Sequence, residues 1–341
     1  MDNSYETVLP SHGSGGTMMK RIIDEVFFEA YASEELLTGD DAAVLENVEV
    51  GPGERIAMST DSFVVYPRFF KGGDLGRLAV CGTVNDVSTS GAKIKALSSA
   101  FILEEGFPIA DLKRIAHSMA ETAKEAGVHI VTGDTKVVEH GHGDGCYINT
   151  TGVGVVPAGL HLSGSNCKPG DIVLLSGTLG DHGIAIMSER EDLSVCADVQ
   201  SDAAPLNALI QAVIAAAPHV RAFRDPTRGG LASTLNEFAS ASEVDIVVEE
   251  DDVPVRPQVR GACELLGYDV FHVANEGKMV CVVPADEAQA ALDAMKAAPY
   301  GSDAAIIGEV REGDGHVFVR TAFGTERILD MLVGELLPRI C

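Results

Sequence analysis

The alternation of short strand-like runs with helical segments is the feature that most restricts how this 341-residue chain folds. Apolar residues recur about every 3.6 positions in the helical segments, and short strand-like runs lie between them. Such segments bury their apolar faces by packing helices against sheets, so the pattern predicts a mixed α/β (α+β) architecture. The strand-like runs of the first half are residues 55–65, 95–103, 128–138 and 147–156.

The second half of the chain repeats this alternation after a connector rich in Gly, Ser, Asn and Pro at residues 159–171. We therefore expect two domains. Helices are predicted at residues 19–31, 75–91, 109–127, 205–217 and 229–242, and strands at 244–250, 278–284 and 303–310. The expected divisions are a mobile glycine loop and helix over 1–38, an N-terminal domain over 39–158, a C-terminal α/β domain over 168–335, and a flexible tail over 336–341.

The acidic balance excludes several classes of partner. The chain carries 51 acidic residues against 25 basic ones and a net charge of −26, which opposes binding to nucleic acid or to an anionic membrane. No apolar run approaches bilayer length and the first residues do not resemble a signal peptide, so a soluble cytoplasmic protein is expected. The seven scattered cysteines predict neither a disulfide framework nor a zinc site.

Four acidic motifs in the first half end strand-like runs or occupy turns beside them. Each alone is typical of a plain turn or a helix cap. Together they would repel one another unless a hard cation bound between them, and Mg²⁺ on a nucleotide phosphate meets that need. The motifs are GDDAAV with Asp40 and Asp41, STDSFVV with Asp61, TVNDVS with Asn85 and Asp86, and VTGDTKVV with Asp134 and Lys136.

Two motifs of the second half add to a possible phosphate site, although the chain has no Walker sequence and no GxGxxG turn of the dinucleotide-binding kind. In RDPTRGGL, Asp225 and Arg228 precede a glycine pair beginning at Gly229 that opens a predicted helix, where backbone N–H groups and a guanidinium can meet an anion. The alternative is an ordinary helix start. In ANEGK, Glu276 is a candidate base or metal ligand, or else a solvated turn residue.

Three further features of the sequence are candidates for a functional site. The HGHGDGC run at residues 140–146 resembles a metal cluster, but its spacing fits no four-ligand template and predicts a hairpin loop. His12, inside the glycine loop, is a candidate for phosphate contact or proton transfer. Cys341 is the last residue of the sequence and is expected to be exposed on an extended segment after Pro338, where a thiolate can carry a group between two sites; the alternative is an incidental cysteine at a frayed end.

The motifs SHGSGG, GDDAAV, STDSFVV, TVNDVSTSGA, VTGDTKVV, RDPTRGG, ANEGK and the final PRIC, in this order, resemble the HypE family of hydrogenase maturation proteins. The acidic motifs are shared with the wider superfamily of aminoimidazole ribonucleotide synthetase, selenophosphate synthetase and thiamine monophosphate kinase. The PRIC ending is what singles out HypE. The resemblance implies a two-domain fold like that of aminoimidazole ribonucleotide synthetase, a homodimer formed through the N-terminal domains, and ATP held near that interface.

The resemblance also implies a chemistry. A carbamoyltransferase, HypF, loads a carbamoyl group onto the Cys341 thiol, ATP phosphorylates the amide oxygen, and loss of phosphate leaves a thiocyanate that passes to a HypC–HypD iron scaffold. Cys341 is then the carrier nucleophile, with Glu276, Lys136 and His12 as catalytic candidates. Mg²⁺ ligands would be Asp41, Asp61, Asp86 and Asp134, and other ATP-binding candidates are Asn85, Thr135, Asp225, Arg228 and Gly229.

Two rival functions use the same residues differently. A small-molecule kinase or selenophosphate-synthetase-like enzyme would keep the ATP site but carry its nucleophile on a free substrate. A non-catalytic scaffold would present Cys341 to a metal centre and turn over no ATP.

Overall fold

Each half of the chain forms its own sheet covered by helices, which confirms the mixed α/β class. The structure is a computed structural model. It describes residues 16–22, 24, 38–191, 198–334, 337 and 339–341. None of the helices in these ranges is long and apolar enough to cross a membrane.

The first half is built on a five-stranded sheet with the order β1-β2-β7-β5-β6. Strands β5 and β6 are parallel and the other neighbours antiparallel. β6 lies at one edge of this sheet. The elements are α1 (Thr17–Ile22), β1 (Ala43–Glu49), β2 (Arg55–Phe63), a small ribbon of β3 (Phe69–Phe70) and β4 (Gly73–Asp74), α2 (Leu75–Thr89), β5 (Lys93–Glu104), α3 (Ile109–Ala126), β6 (Ile130–Val138) and β7 (Cys146–Val156).

Helix α3 follows its sequence prediction closely. Its buried side chains include Ile115, Met119 and Ala123, which recur at helical spacing on one face. Gly127 ends the helix with a left-handed φ of 70°, and its N–H donates to the carbonyl of Ala123. The predicted glycine C-cap is therefore confirmed.

Helix α2 is buried on nearly all sides, whereas its sequence pattern indicates one apolar face. It lies between the first sheet and the second half of the chain, so its polar residues also meet protein. Asn85 is an example, because its Nδ2 donates to the carbonyl of Ala204 at 3.0 Å and its Oδ1 accepts from the N–H of Leu206 at 2.7 Å. Asn85 thus joins the two halves.

Replacing Asn85 by alanine is expected to lower the free energy of unfolding by about 2–4 kcal/mol, because two buried backbone groups lose their partners. Urea denaturation measures this effect. The same change at the half-buried Asn166, whose amide makes a single hydrogen bond to the carbonyl of His161, is the control. Equal midpoints for the two variants would contradict the structural role assigned to Asn85.

The loop of residues 139–145 is not a hairpin, and that prediction is wrong. It connects β6 to β7, but β5 lies between these strands and pairs with both. The loop therefore crosses over the end of β5, where the N–H groups of Gly141 and Gly145 donate to the carboxylate of Glu104. We call it the glycine-rich loop.

The second half is built on a seven-stranded sheet with the order β14-β13-β10-β12-β8-β11-β9, in which only β10 and β13 are parallel neighbours. Apolar clusters cover both of its faces. The elements are β8 (Ile172–Leu175), α4 (Asp181–Glu191), α5 (Asn207–Ala216), β9 (Ala222–Arg224), α6 (Gly230–Ser242), β10 (Val244–Glu249), α7 (Pro257–Leu266), β11 (Val280–Val283), α8 (Ala288–Ala297), β12 (Ala305–Glu312), β13 (Val317–Arg320) and β14 (Glu326–Ile328).

The end of the chain differs from its sequence prediction. The sequence from residue 326 onward, with apolar residues between Glu326 and Pro338, predicts a helix that Pro338 interrupts or ends. Glu326–Ile328 instead forms strand β14, because pairing with β13 satisfies its backbone. Residues 329–334 are not helical. Pro338, expected to end that helix, lies outside the described residues.

Candidate functional site

A cavity of about 440 Å³ lies between the two halves of the chain. Its size is typical of a small-molecule site. The sequence-predicted residues that line it are Asp41, Asp61, Asp86, Asp225, Arg228, Glu276 and Cys341.

Strand β2 and helix α2 supply the acidic wall from the first half. Ser59 and Asp61 are two residues apart on β2 and therefore share a face. The Ser59 hydroxyl donates to Oδ2 of Asp86 on α2 at 2.9 Å. This bond ties the strand to the helix and sets the two carboxylates around one space.

Arg224 is a site residue that the sequence analysis did not assign. It lies at the end of β9 and forms ion pairs of 2.9 Å with both Asp41 and Glu237. Burial nevertheless raises the pKa of Asp41 to about 6, because desolvation outweighs the attraction of Arg224. A basic residue at the start of RDPTRGG was the available signal for Arg224, whereas nothing local in the sequence marks Glu237.

The glycine pair of RDPTRGG opens helix α6, as predicted. Gly229 and Gly230 both have positive φ angles, of 79° and 61°. A Cβ on Gly230 would lie 2.6 Å from the carbonyl oxygen of Phe271, so only glycine fits there. This tight turn brings Asp225 and Arg228 to the cavity, while Gly229 itself does not line it.

The carboxyl groups of the cavity repel one another. Burial raises the pKa of Asp86 and of Asp225 well above the usual range, and their neighbouring carboxylates raise both further. The pKa of Asp61 is also raised by burial, against the attraction of Arg228. We call the cavity carboxyl groups of Asp41, Asp61, Asp86 and Asp225 the acidic set. Without a bound cation, some of these groups must hold protons.

Glu276 lies between helix α7 and strand β11 and is almost completely buried at 2% exposure. Burial raises the pKa of its carboxyl group well above the usual range; Asp225, Asp61 and Asp202 raise it further, and Arg228 lowers it. A carboxyl group with a strongly raised pKa in a cavity is a candidate for proton transfer.

The donor set suits Mg²⁺ on a nucleotide phosphate. Oδ2 of Asp41 and Oε1 of Glu276 are buried without a hydrogen-bond partner, and all the acidic donors are oxygens. Within the described part of the chain no three His, Cys, Asp or Glu side chains gather tightly enough to form a metal cage. Mg²⁺ takes few protein ligands and keeps phosphate oxygens and waters, so acids spread along a cavity fit it.

Cys341 is buried in this cavity, so its predicted exposure is wrong. Its carbonyl accepts from the N–H of Val64 at 3.0 Å, and the carbonyl of Arg339 accepts from the N–H of Tyr66 at 3.3 Å. Leu337 and Ile340 are buried in an apolar cluster to which both halves of the chain contribute. Such burial contributes about 1.5–3 kcal/mol per side chain, which is why this short segment stays docked.

The docked thiol of Cys341 is a poor acid. Burial raises its pKa from the ordinary value near 9 to about 12; Glu276, Asp61 and Asp225 add to the rise, and Arg228 opposes it. At neutral pH the docked sulfur is therefore a neutral thiol.

Asp134, Thr135 and Lys136 do not line the cavity. They lie on the edge strand β6, where Lys136 Nζ pairs with Asp134 Oδ2 at 2.7 Å and both side chains are exposed. Asp134 and Thr135 instead line a separate groove between β6 and α3.

Gly16, the last glycine of the SHGSGG motif, lines the cavity together with Lys20 and Asp24, which follow it. The N–H of Thr17 donates to the carbonyl of Leu332 at 2.9 Å. A Cβ on Gly16 would lie 2.2 Å from that same oxygen, which explains one glycine of the SHGSGG motif. His12 lies outside the described residues.

The two domains and the cavity between them define an AIR synthase related protein. Residues 39–156 match the model of the AIR synthase related protein N-terminal domain, and residues 168–320 match that of the C-terminal domain. The chain belongs to the HypE family within this class. It is 55% identical over 332 residues to the carbamoyl dehydratase HypE of Azotobacter vinelandii, covering 97% of this chain and 96% of the relative.

Solved structures agree with this assignment. The HypE–HypF complex contains a chain with 52% identity and a TM-score of 0.87, covering 91% of this chain and 99% of that one. The hydrogenase maturation protein HypE in complex with ATP has 47% identity and a TM-score of 0.82, covering 98% and 100%. A thiamine monophosphate kinase structure from Aquifex aeolicus, at 16% identity and a TM-score of 0.65, covers 89% of this chain and 97% of that one and shares the fold.

Proposed function

We propose that this protein uses ATP to dehydrate a carbamoyl group, carried as a thiocarboxamide on Cys341, to a thiocyanate. This reaction would supply the cyanide ligands of the NiFe hydrogenase iron centre. The observation that carries the proposal is the docking of the Cys341 sulfur in the same cavity as the acidic set and Arg228. Relatives named carbamoyl dehydratase, and one solved with ATP, support it.

The acidity of Cys341 indicates where each step occurs. A protonated thiol is a weak nucleophile, so the docked sulfur is unsuited to accept a carbamoyl group. Loading therefore belongs to an undocked position, in the site of a carbamoyltransferase. A thiocarboxamide carries no charge, so once loaded the segment docks without opposing the surrounding carboxylates.

The chemistry balances as follows. The amide oxygen attacks the γ-phosphorus of ATP and ADP leaves. The nitrogen loses both its protons while the C–O bond to phosphate breaks, which gives a thiocyanate, ADP, phosphate and one net proton. Phosphorylation is needed because an amide oxygen is a poor leaving group, and bringing both groups into one cavity removes the entropy cost of their encounter.

The residues of the cavity take distinct roles in this proposal. Mg²⁺, when bound, would neutralise phosphate charge, with Asp41, Asp61 and Asp86 as its candidate ligands. Asp225 and Arg228 would organise the phosphates from the second domain, and Arg228 would stabilise charge near the sulfur. Glu276, buried and without a partner for Oε1, is the candidate acceptor of an amide proton.

We further propose a homodimer through the first sheet. Strand β6 lies at the sheet edge with nearly every residue exposed, including Val131 and Val137. Pairing this edge with a second copy would cover it. It would also bring Asp134, Thr135 and Lys136 into the interface between the two copies. There they can contribute to a nucleotide site, although in a single chain they lie outside the cavity.

The partners of the proposed reaction are a carbamoyltransferase of the HypF kind and a HypC–HypD iron scaffold. The HypE–HypF complex structure supports the first. The expected compartment is the cytoplasm, because a thiol that carries an acyl group must stay reduced.

Peptide mass spectrometry tests the proposal directly. The protein is incubated with HypF, carbamoyl phosphate and Mg–ATP, and the peptide containing Cys341 is analysed. We expect the peptide to gain a carbamoyl group and then to lose one water only when ATP is present. An unmodified peptide with ATP still consumed would favour a small-molecule kinase, and a loaded peptide with no ATP turnover would favour a scaffold.

Docking of the C-terminal segment, residues 337 and 339–341, is expected to weaken at alkaline pH. The docked pKa of Cys341 is raised, so docking is fully favoured below the ordinary thiol pKa and is lost as the pH rises toward about 12. At about pH 10 the docking equilibrium should fall roughly tenfold. Hydrogen exchange at the amides of Val64 and Tyr66, corrected for intrinsic rates, reports it, because these N–H groups hold the segment.

A Cys341→Ser variant is the control for this pH effect, since its hydroxyl does not ionise in the same range. We expect its Val64 and Tyr66 protection to stay constant with pH. An equal loss of protection in both proteins would show that Cys341 ionisation does not govern docking.

A further inference from the structure

The glycine-rich loop and helix α4 both contact the C-terminal segment, although neither lines the cavity. The C-terminal segment here means residues 337 and 339–341. The question is what holds it where Cys341 meets the cavity, since the proposed function requires it to dock and to leave.

His182, the second residue of α4, makes the most buried of these contacts. Its Nε2 lies 2.7 Å from the carbonyl oxygen of Ile340, and its Nδ1 lies 2.8 Å from the hydroxyl of Ser201. Burial lowers the pKa of His182, so the ring is neutral. A carbonyl only accepts, so Nε2 carries the hydrogen and Nδ1 accepts from Ser201. Ser201 thereby sets the tautomer that binds the segment.

The ring of His182 has little freedom to turn away. It is fully buried, and Phe70 packs edge-on against it with ring centroids 5.7 Å apart. If the segment leaves, the Nε2–H loses its partner inside the protein. An unpaired buried donor is costly, so this contact favours docking more than an exposed hydrogen bond would.

Asp144 makes the second contact, from the glycine-rich loop. Its Oδ2 pairs with the guanidinium of Arg339, and its Oδ1 lies 3.5 Å from Arg68. Nε of Arg339 also donates to the carbonyl of Val64 at 3.0 Å. Arg339 has a φ of 50°, a left-handed conformation that a non-glycine residue keeps only where its surroundings impose it.

We propose that His182 and Asp144 form a latch that holds the C-terminal segment in its docked position and so sets how Cys341 is shared between the cavity and an external carbamoyl donor. The proposal rests on the proposed function and deepens it. Both are positioning residues. His182 contacts the backbone of Ile340 and Asp144 contacts the side chain of Arg339, and neither contacts the reacting atoms. The latch joins one contact from each half of the chain.

The first test is the rate at which a maleimide modifies Cys341, read on its own peptide. We expect His182→Phe to raise this rate roughly tenfold, because the hydrogen bond of His182 is buried. Asp144→Asn should raise it about twofold to threefold, because the ion pair of Asp144 is half-exposed and therefore weaker. His182→Gln keeps an amide donor near the Nε2 position and should restore most of the protection. Glu139→Gln removes the same charge as Asp144→Asn from an exposed position of the glycine-rich loop and should change nothing.

The second test separates positioning from general damage. Latch variants should load the carbamoyl group as fast as the wild type or faster, and should then dehydrate it more slowly, by the same factors. A merely structural defect would slow both steps. Equal maleimide rates at Cys341 in the wild type, His182→Phe and Asp144→Asn would overturn the proposal.

Folding is controlled within the same experiment. If His182→Phe loosens the domain, buried Cys146 will react together with Cys341, and Asp144→Asn, which changes a half-exposed side chain, then decides the proposal alone. The maleimide test needs neither ATP nor a carbamoyl donor. The latch is thus judged separately from the proposed dehydration, which fails if the wild type forms no thiocyanate.

Discussion

Replacing Cys341 by alanine will abolish thiocyanate formation completely while leaving Mg–ATP binding within about twofold. The reason is that Cys341 is the carrier of the reacting group, whereas the acidic set and Arg228 belong to other elements and keep their positions. Peptide mass spectrometry measures the product, and calorimetric titration with Mg–ATP measures the binding.

The matched control is Cys167→Ala, a buried cysteine of the connector that packs in an apolar cluster of the second half and is away from the cavity lining. This variant should lose some stability and keep the reaction. Product formation in the Cys341→Ala protein would instead identify a free substrate, and would turn the proposed function into that of a small-molecule kinase.

Replacing Glu276 by glutamine will slow the ATP-dependent loss of water by roughly 10²–10⁴-fold, the usual range for removing a general base. Loading of the carbamoyl group on Cys341 should be unchanged, because we place that step outside the cavity. The side chain is buried with Oε1 unpaired, so the amide of glutamine fits the same volume but cannot accept a proton. Single-turnover measurements on preloaded protein isolate the step.

A Glu276→Asp variant keeps the carboxylate and should recover part of the lost rate. The apparent Kd for Mg–ATP should change by less than about threefold in both variants. A rate loss explained wholly by weaker ATP binding would assign Glu276 to the metal and phosphate site in place of proton transfer.

Local sequence signals predicted the elements of the fold well. Residue periodicity located α3, and Gly127 marked its end. The short strand-like runs located β2, β5, β6 and β7, because these patterns report short-range conformational preference and burial. The glycine pair before α6 was predicted for the same reason, since a tight left-handed turn excludes other residues.

Pairing partners were harder to predict from the sequence. The glycine-rich loop looks like a hairpin because the strands beside it are adjacent in sequence, yet β5 lies between them. The sequence of strand β14 also misleads, because its residues suit either a helix or a strand. Only the pairing with β13 decides between the two conformations. Long-range pairing leaves no local mark.

The sequence by itself determined the chemistry available to this protein, namely clustered carboxylates, a glycine-opened helix with Arg228, Glu276 and the Cys341 thiol. Only the tertiary structure decided which of these meet. It brought Asp41 to Arg224 and Glu237, left Asp134 and Lys136 on an outer edge, and buried Cys341 beside Glu276. The reason is physical, because residue type fixes reactivity, whereas distance, burial and pKa depend on segments far apart in the chain.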